Sequence, residues 1–203
     1  MRRFEQVTGF ILAGGASSRM GRDKALLEIG GVPLLVRIAR LLTPRVAAVK
    51  VIGPPERYAA LGFPVVPDDR PGQGPLGGLV TALRISSSGW NLVVGCDLPH
   101  LSGEWLEWLI ARGLESPAEA VVPETERGLE PLCAMYRSSC AAALAAAFSQ
   151  GERKLTEVVS RLTLEKITAT QWKAFDPDRV LFKNMNTPAD YEQARARLEG
   201  KTT

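Results

Sequence analysis

Apolar positions along this chain fall into short β-branched or aromatic runs, separated by stretches with helical spacing. The run that ends in GFILA (9–13) predicts a first buried strand. Leu34, Leu35, Ile38, Leu41 and Leu42 then repeat at helical spacing, which predicts a helix over 33–42. A β-branched run over 46–52, closed by Gly53, Pro54 and Pro55, predicts a second strand, and 63–66 predicts a short third one ended by Pro67. Leu76, Leu79, Val80 and Leu83 form one face of a helix. WNLVVG (90–95) is the next strand, followed by CDLPHL and a helix carrying Trp105, Leu109 and Ile110. Further strands are expected at 120–122 and 132–136, an Ala-rich helix at 140–148, and a helix marked by Leu155, Val158, Val159 and Leu162. A short strand is expected at 180–182. Thr187 then caps a last helix, with Pro188 at its first position and Asp190 placed to bond back.

Strands alternating with helices imply βαβ units. The expected fold class is α/β: a single Rossmann-like three-layer domain over 1–203, with a mostly parallel sheet and helices on both faces. No internal repeat or long linker divides it. Such sheets bind ligands beyond the carboxyl ends of their strands, where strand order reverses. Composition narrows the ligand. A 45% apolar, 23% charged chain is ordinary for a soluble protein. The net charge of +3 suits a small anion and lacks the strong basic stripe of a nucleic-acid binder. No stretch approaches the roughly 20 apolar residues that span a membrane, and no apolar segment of a signal peptide follows Arg2 and Arg3. Cys96, Cys133 and Cys140 are odd in number and lack metal-site spacing, which fits the reducing cytoplasm.

Three loops after strands carry the candidate chemistry. LAGGASSRMGRDKALL (12–27) is glycine-rich and holds Arg19, Asp23 and Lys24. Glycine lets main-chain N–H groups approach a phosphate closely, and the cations add charge. It lacks the Gly-Lys-Ser/Thr ending of a P-loop and is not G-x-G-x-x-G. GCDLPHL (95–101) puts Asp97 just past a buried strand, where one carboxylate can hold Mg²⁺ completed by water and substrate phosphates. PDDRPGQGPLGG (67–78) is a long Gly/Pro wall in which Asp68 or Asp69 can accept hydrogen bonds from a purine edge.

Together with EPLCAMY (130–136) and NMNTPAD (184–190), these segments resemble the MobA type of molybdenum cofactor guanylyltransferase, in order and over nearly the whole chain. The resemblance implies Mg²⁺-dependent transfer of GMP from GTP to the phosphate of molybdenum–molybdopterin, giving molybdopterin guanine dinucleotide and pyrophosphate. It implies a GTP-binding part over about 1–100 and an acceptor-binding part over about 101–203. Leu12, Ala13, Gly14 and Gly15 match the main-chain contacts with the nucleotide, and Lys24 matches the phosphate-binding lysine; Arg19 is read from the loop itself as a second cation for the triphosphate. Asp97 matches the magnesium ligand. Asp68, or the adjacent Asp69, matches the guanosine-contacting aspartate beside Gly77 and Gly78. Asn184 and Asn186 match asparagines on the pterin side. Other cofactor-biosynthesis proteins and molybdoenzyme chaperones are the implied partners; nucleic acid and membrane are not.

Other residues have plainer readings. His100 reads as solvated or cap-bonding, since the attacking phosphate is already ionised near neutral pH. Cys96 and the four tryptophans read as packing, and Arg153 and Lys154 as a solvated helix start. Glu130 orients the acceptor or pairs with a nearby cation. Two further activities fit the residues: transfer of CMP to the same cofactor, or nucleotidyl transfer to a sugar or alcohol phosphate. A third reading is a non-catalytic nucleotide-binding adaptor, against which the presence of both Lys24 and Asp97 argues.

Overall fold

The computed structural model describes residues 2–14 and 22–200. Strand β1 (Phe4–Leu12) lies at the centre of the sheet. After it come a short hairpin, β2 (Glu28–Ile29) with β3 (Val32–Pro33), helix α1 (Leu34–Leu42) and β4 (Val46–Ile52). A short helix α2 (Pro55–Tyr58), β5 (Val65–Val66), α3 (Pro75–Arg84), β6 (Trp90–Gly95) and α4 (Gly103–Glu115) follow. The remainder holds β7 (Ala120–Thr125), β8 (Gly128–Leu129), β9 (Cys133–Arg137), α5 (Ala141–Ser149), α6 (Leu155–Val159), β10 (Leu164–Ile167), α7 (Ala169–Trp172) and α8 (Pro188–Glu199).

The main sheet runs β10-β7-β9-β6-β1-β4-β5, with β8 paired to β7. The expected mostly parallel α/β sheet is present, with β9 antiparallel to both neighbours. The link from β7 to β9 holds only the β8 turn, too short for the crossover a parallel strand needs. Side chains alternate across the sheet and build a core on each face. Val7 and Ile11 of β1 pack with Leu92, Met135, α1 and α4; Phe10 packs with Val93, Tyr136, α3, α5 and α6. Helices therefore cover both faces, as three layers require. α1 lies close enough to β1 that a Cβ on Gly9 would fall 2.9 Å from Leu42 Cδ2.

Three expectations change. No strand forms at 180–182: the Asp176 carboxylate accepts from the N–H groups of Val180 (2.7 Å) and Leu181 (3.0 Å), and Lys183 N–H bonds Val180 O (2.8 Å). The main-chain donors are used within a turn and are not offered to a sheet. The third strand shrinks to Val65–Val66, because Gly62 is left-handed (φ 82°) and Pro64 follows it. The helix begun at Leu155 stops at Val159, and the chain enters β10, an edge strand that the sequence pattern did not announce. The last helix is as expected: Thr187 and Asp190 form a reciprocal capping box with Pro188 in the first turn. A small third core of Ile29, Leu34, Met185 and Ala194 pins α8 onto the hairpin, and Tyr191 Oη donates to Glu28 O at 2.7 Å. That packing returns the end of the chain to its beginning.

Candidate active site

Strand order reverses at β1: the chain goes out through β4 and β5, then crosses back to β6 on the other side. The carboxyl ends of these strands surround a cavity of about 700 Å³. Its walls come from Leu12, Ala13 and Gly14 at the end of β1, Gly53–Arg57 after β4, Pro67, Asp68, Pro71 and Gly72, with Gly74, Pro75 and Gly78 leading into α3, and Gly95, Cys96 and Asp97 at the end of β6. Short main-chain bonds set the floor: Ala13 N–H to Ile52 O (2.9 Å), Gly53 N–H to Val66 O (3.0 Å) and Cys96 N–H to Leu12 O (3.2 Å). Because Ala13 N–H is engaged with Ile52, this stretch offers the cavity a close-lying main chain, not that donor. Gly14 is left-handed (φ 102°), and a Cβ there would meet Pro54 Cδ at 2.8 Å. Gly15 and Arg19 lie outside the described residues.

Lys24 begins a single 3-10 turn, Lys24–Leu26, and lines the same cavity as Asp97. Its Nζ donates to Asn186 Oδ1 at 2.7 Å. Asp97 also lines the cavity; burial pushes its carboxyl pKa up, and Lys24 works in the opposite direction. A Cβ on Gly95 would stand 2.8 Å from Asp97 Oδ1, so the carboxylate folds back over a residue that must be small. Asp97 O accepts from Met185 N–H at 2.9 Å. The 184–186 loop thus touches both the lysine and the aspartate.

The two neighbouring aspartates separate. Asp68 lines the cavity, and its Oδ1 accepts from Arg70 N–H (2.9 Å) and from the buried Thr81 hydroxyl (3.2 Å). Asp69 points away into an ion pair with Arg84 at 2.8 Å. Gly78 faces the cavity, its Cβ position 3.5 Å from Leu12 and 3.8 Å from Asp68 Oδ2; Gly77 instead abuts Arg70, 3.0 Å from its Cβ. Asn186 meets Lys24, while Asn184 faces elsewhere. It lines a separate cavity of about 490 Å³ with Pro99, His100, Lys183 and Arg197.

Residues read as packing do pack. Trp105 is buried and stacks on Trp108 (5.5 Å), with Phe175 and Phe182 around it; Trp172 meets Phe182 edge-on. Burial raises the Cys96 thiol pKa, which leaves it a poor nucleophile. Glu130, its pKa also raised by burial, accepts from Thr125 (3.0 Å) and pairs with Arg127 (3.3 Å). Arg153 lies over the Phe148 ring at 4.0 Å and donates to Gln73 Oε1 at 2.8 Å, while Lys154 pairs with Glu157.

Sequence reasoning missed the wall after β4 and the support under Lys24. GPPERY follows a β-branched run as the other three loops follow their strands, and that position was the available signal. A buried tyrosine at its end, Tyr58, has no sequence signature.

A sequence model of the MobA-like NTP transferase domain matches residues 9–167. The chain belongs to the MobA-like NTP transferase family. A Pelotomaculum thermopropionicum relative named "Probable molybdenum cofactor guanylyltransferase" is 34% identical over 199 residues, covering 98% of this chain and 96% of its own length. A Deinococcus radiodurans relative of the same name is 38% identical over 198 residues, covering 95% and 96%. The crystal structure of molybdopterin-guanine dinucleotide biosynthesis protein A from Archaeoglobus fulgidus superposes with a TM-score of 0.83 at 27% identity, over 95% of this chain and 99% of that one. The strand-end cavity of this MobA-like protein is accordingly that of a nucleotidyltransferase fold.

Proposed function

We propose that this protein transfers GMP from GTP to the phosphate of molybdenum–molybdopterin, releasing pyrophosphate and forming molybdopterin guanine dinucleotide. The observation that carries the reading is one cavity, at the strand-order reversal, that Lys24, Asp97 and Asp68 share. The names of its relatives point to the same reaction. All lining residues but Leu132 come before residue 100, which supports the first half as the GTP-binding part and the second as the acceptor-binding part.

In this reading guanine lies against 74–78, and Asp68, an acceptor only when ionised, takes the N–H groups of its edge. The wall's close main chain at Leu12, Ala13 and Gly14 passes beside the nucleotide. Lys24 holds the triphosphate as a point charge, and Arg19 adds a second cation from the glycine-rich loop. Asp97 is the residue to hold Mg²⁺. No group of three or more His, Cys, Asp or Glu side chains among the described residues could form a complete protein cage. A half-buried carboxylate facing a cavity suits an ion that keeps its waters and is completed by substrate phosphates. Bound there, Mg²⁺ supplies charge neutralisation on the phosphates and on departing pyrophosphate. The protein's remaining task is to align the acceptor phosphate in line with the leaving oxygen, which needs no side-chain nucleophile. Asn186, on Lys24, belongs to the acceptor side, with Asn184 beyond it.

The test is pyrophosphate release with molybdenum–molybdopterin and either GTP or CTP, at saturating Mg²⁺. Release with GTP well above that with CTP is expected. Preference for CTP would replace guanylyl by cytidylyl transfer, and release with neither would remove the enzymatic reading.

A further inference from the structure

Lys24 stands on a single 3-10 turn, which is too short to hold its own shape. Something outside the turn must fix where the ammonium points. Asp23 caps the turn, its Oδ1 accepting from Ala25 N–H at 3.0 Å. Its other oxygen accepts from the Tyr58 hydroxyl at 2.8 Å and from Arg57 at 3.3 Å. Tyr58 has no exposed surface and is not among the residues that line the cavity. Its ring fills the space that Gly53 leaves: a Cβ on Gly53 would fall 2.9 Å from Tyr58 Cε2 and 2.7 Å from Ala13 O. One side chain therefore packs under the ends of β1 and β4 and bonds to the turn that carries the lysine. Burial, and then the bond to Asp23, drive the phenol pKa far above its ordinary range, so it remains a donor throughout the working pH range.

We infer that Tyr58 is a positioning residue: its hydroxyl, through the Asp23 carboxylate, fixes the turn that aims Lys24 into the cavity. The inference rests on the reading of Lys24 as the triphosphate-binding cation. A tyrosine that only filled space would support the fold equally whether or not Lys24 were present. A tyrosine that aims Lys24 has nothing to aim once the ammonium is gone. The two roles separate in a double-mutant cycle.

Equilibrium binding of Mg–GTP is measured for the native protein, Tyr58→Phe, Lys24→Ala and the double variant, each shown folded by thermal melting. Tyr58→Phe keeps the ring and removes the donor. It is expected to weaken binding about tenfold in the native background, the scale of a lost hydrogen bond to a charged group. In the Lys24→Ala background the same change should weaken binding by less than about twofold. An equal factor in both backgrounds overturns the inference and leaves Tyr58 as packing. If Tyr58→Phe does not fold, Asp23→Ser runs the same cycle, because serine still caps the turn but is too short to reach the phenol. Lys24→Ala that binds Mg–GTP as tightly as the native protein overturns the reading of Lys24, and this inference with it. A native protein that binds Mg–CTP but not Mg–GTP overturns only the guanine reading, and the cycle is then read with Mg–CTP.

Discussion

Asp97 occupies a position where its charge is costly. Burial disfavours the carboxylate, and the Lys24 ammonium only partly offsets that. A side chain kept against such a cost, facing a cavity, is a mark of function more than of stability. Asp97→Asn is therefore expected to lower turnover roughly a hundredfold or more, the scale of losing a metal's charge stabilisation. Since the amide carries no charge to desolvate, its melting temperature should not fall below that of the native protein. Steady-state kinetics at saturating Mg²⁺, with a thermal melt of the same sample, checks both halves. The residue scale also shows what sequence could and could not supply. An aspartate two residues past a buried, mostly apolar strand is conspicuous in sequence. The choice between Asp68 and Asp69 was not, because it depends on Arg84, fifteen residues on, drawing Asp69 outward. Tyr58 was invisible, since a single tyrosine in a turn carries no periodicity.

Among the elements, those with repeated apolar positions were legible: α1, α3, α4, β4 and β6 lie where the spacing put them. Elements decided by a distant or irregular partner were not. The 180–182 run has a strand's composition, yet the Asp176 carboxylate takes its N–H groups. β10 carries Glu165 and Lys166 and gains its pairing only from β7. The start of α8 was legible, and its chemistry makes a prediction. Bonds from the Thr187 hydroxyl first, then from Asn186 and Thr187 N–H, hold the Asp190 carboxyl below its ordinary pKa. The bonded form is the carboxylate. Its contribution is thus fully present above the ordinary carboxylate range and is lost as pH falls through the lowered folded value. Asp190→Ala should cost about 1 kcal/mol near neutral pH, as a lost cap does, with the difference from native vanishing in acid. Denaturant unfolding of both proteins at a series of pH values measures it. A difference that persists unchanged in acid would mean the cap is not the source.

On the scale of the whole molecule, the sheet and the chain ends act together. The strand-order reversal at β1 opens the cavity, and α8 packs on the β2–β3 hairpin so that the 184–186 loop reaches Lys24 and Asp97. The expected α/β architecture was legible because alternating strands and helices admit few topologies. The meeting of Lys24 and Asp97 with the 185–186 loop was legible only through the family resemblance, because it depends on packing between the two ends of the chain. No helix among the described residues is long and apolar enough to cross a membrane. In the proposed reaction a cation at Asp97 and the Lys24 ammonium together hold a guanosine triphosphate in this one cavity. A crystal soaked with GTP and Mg²⁺ tests it most directly. Guanine should lie against 74–78 with Asp68 on its edge, the phosphates should reach Lys24, and the metal should touch Asp97. Nucleotide bound elsewhere, or in this cavity with its phosphates turned away from both side chains, would contradict it.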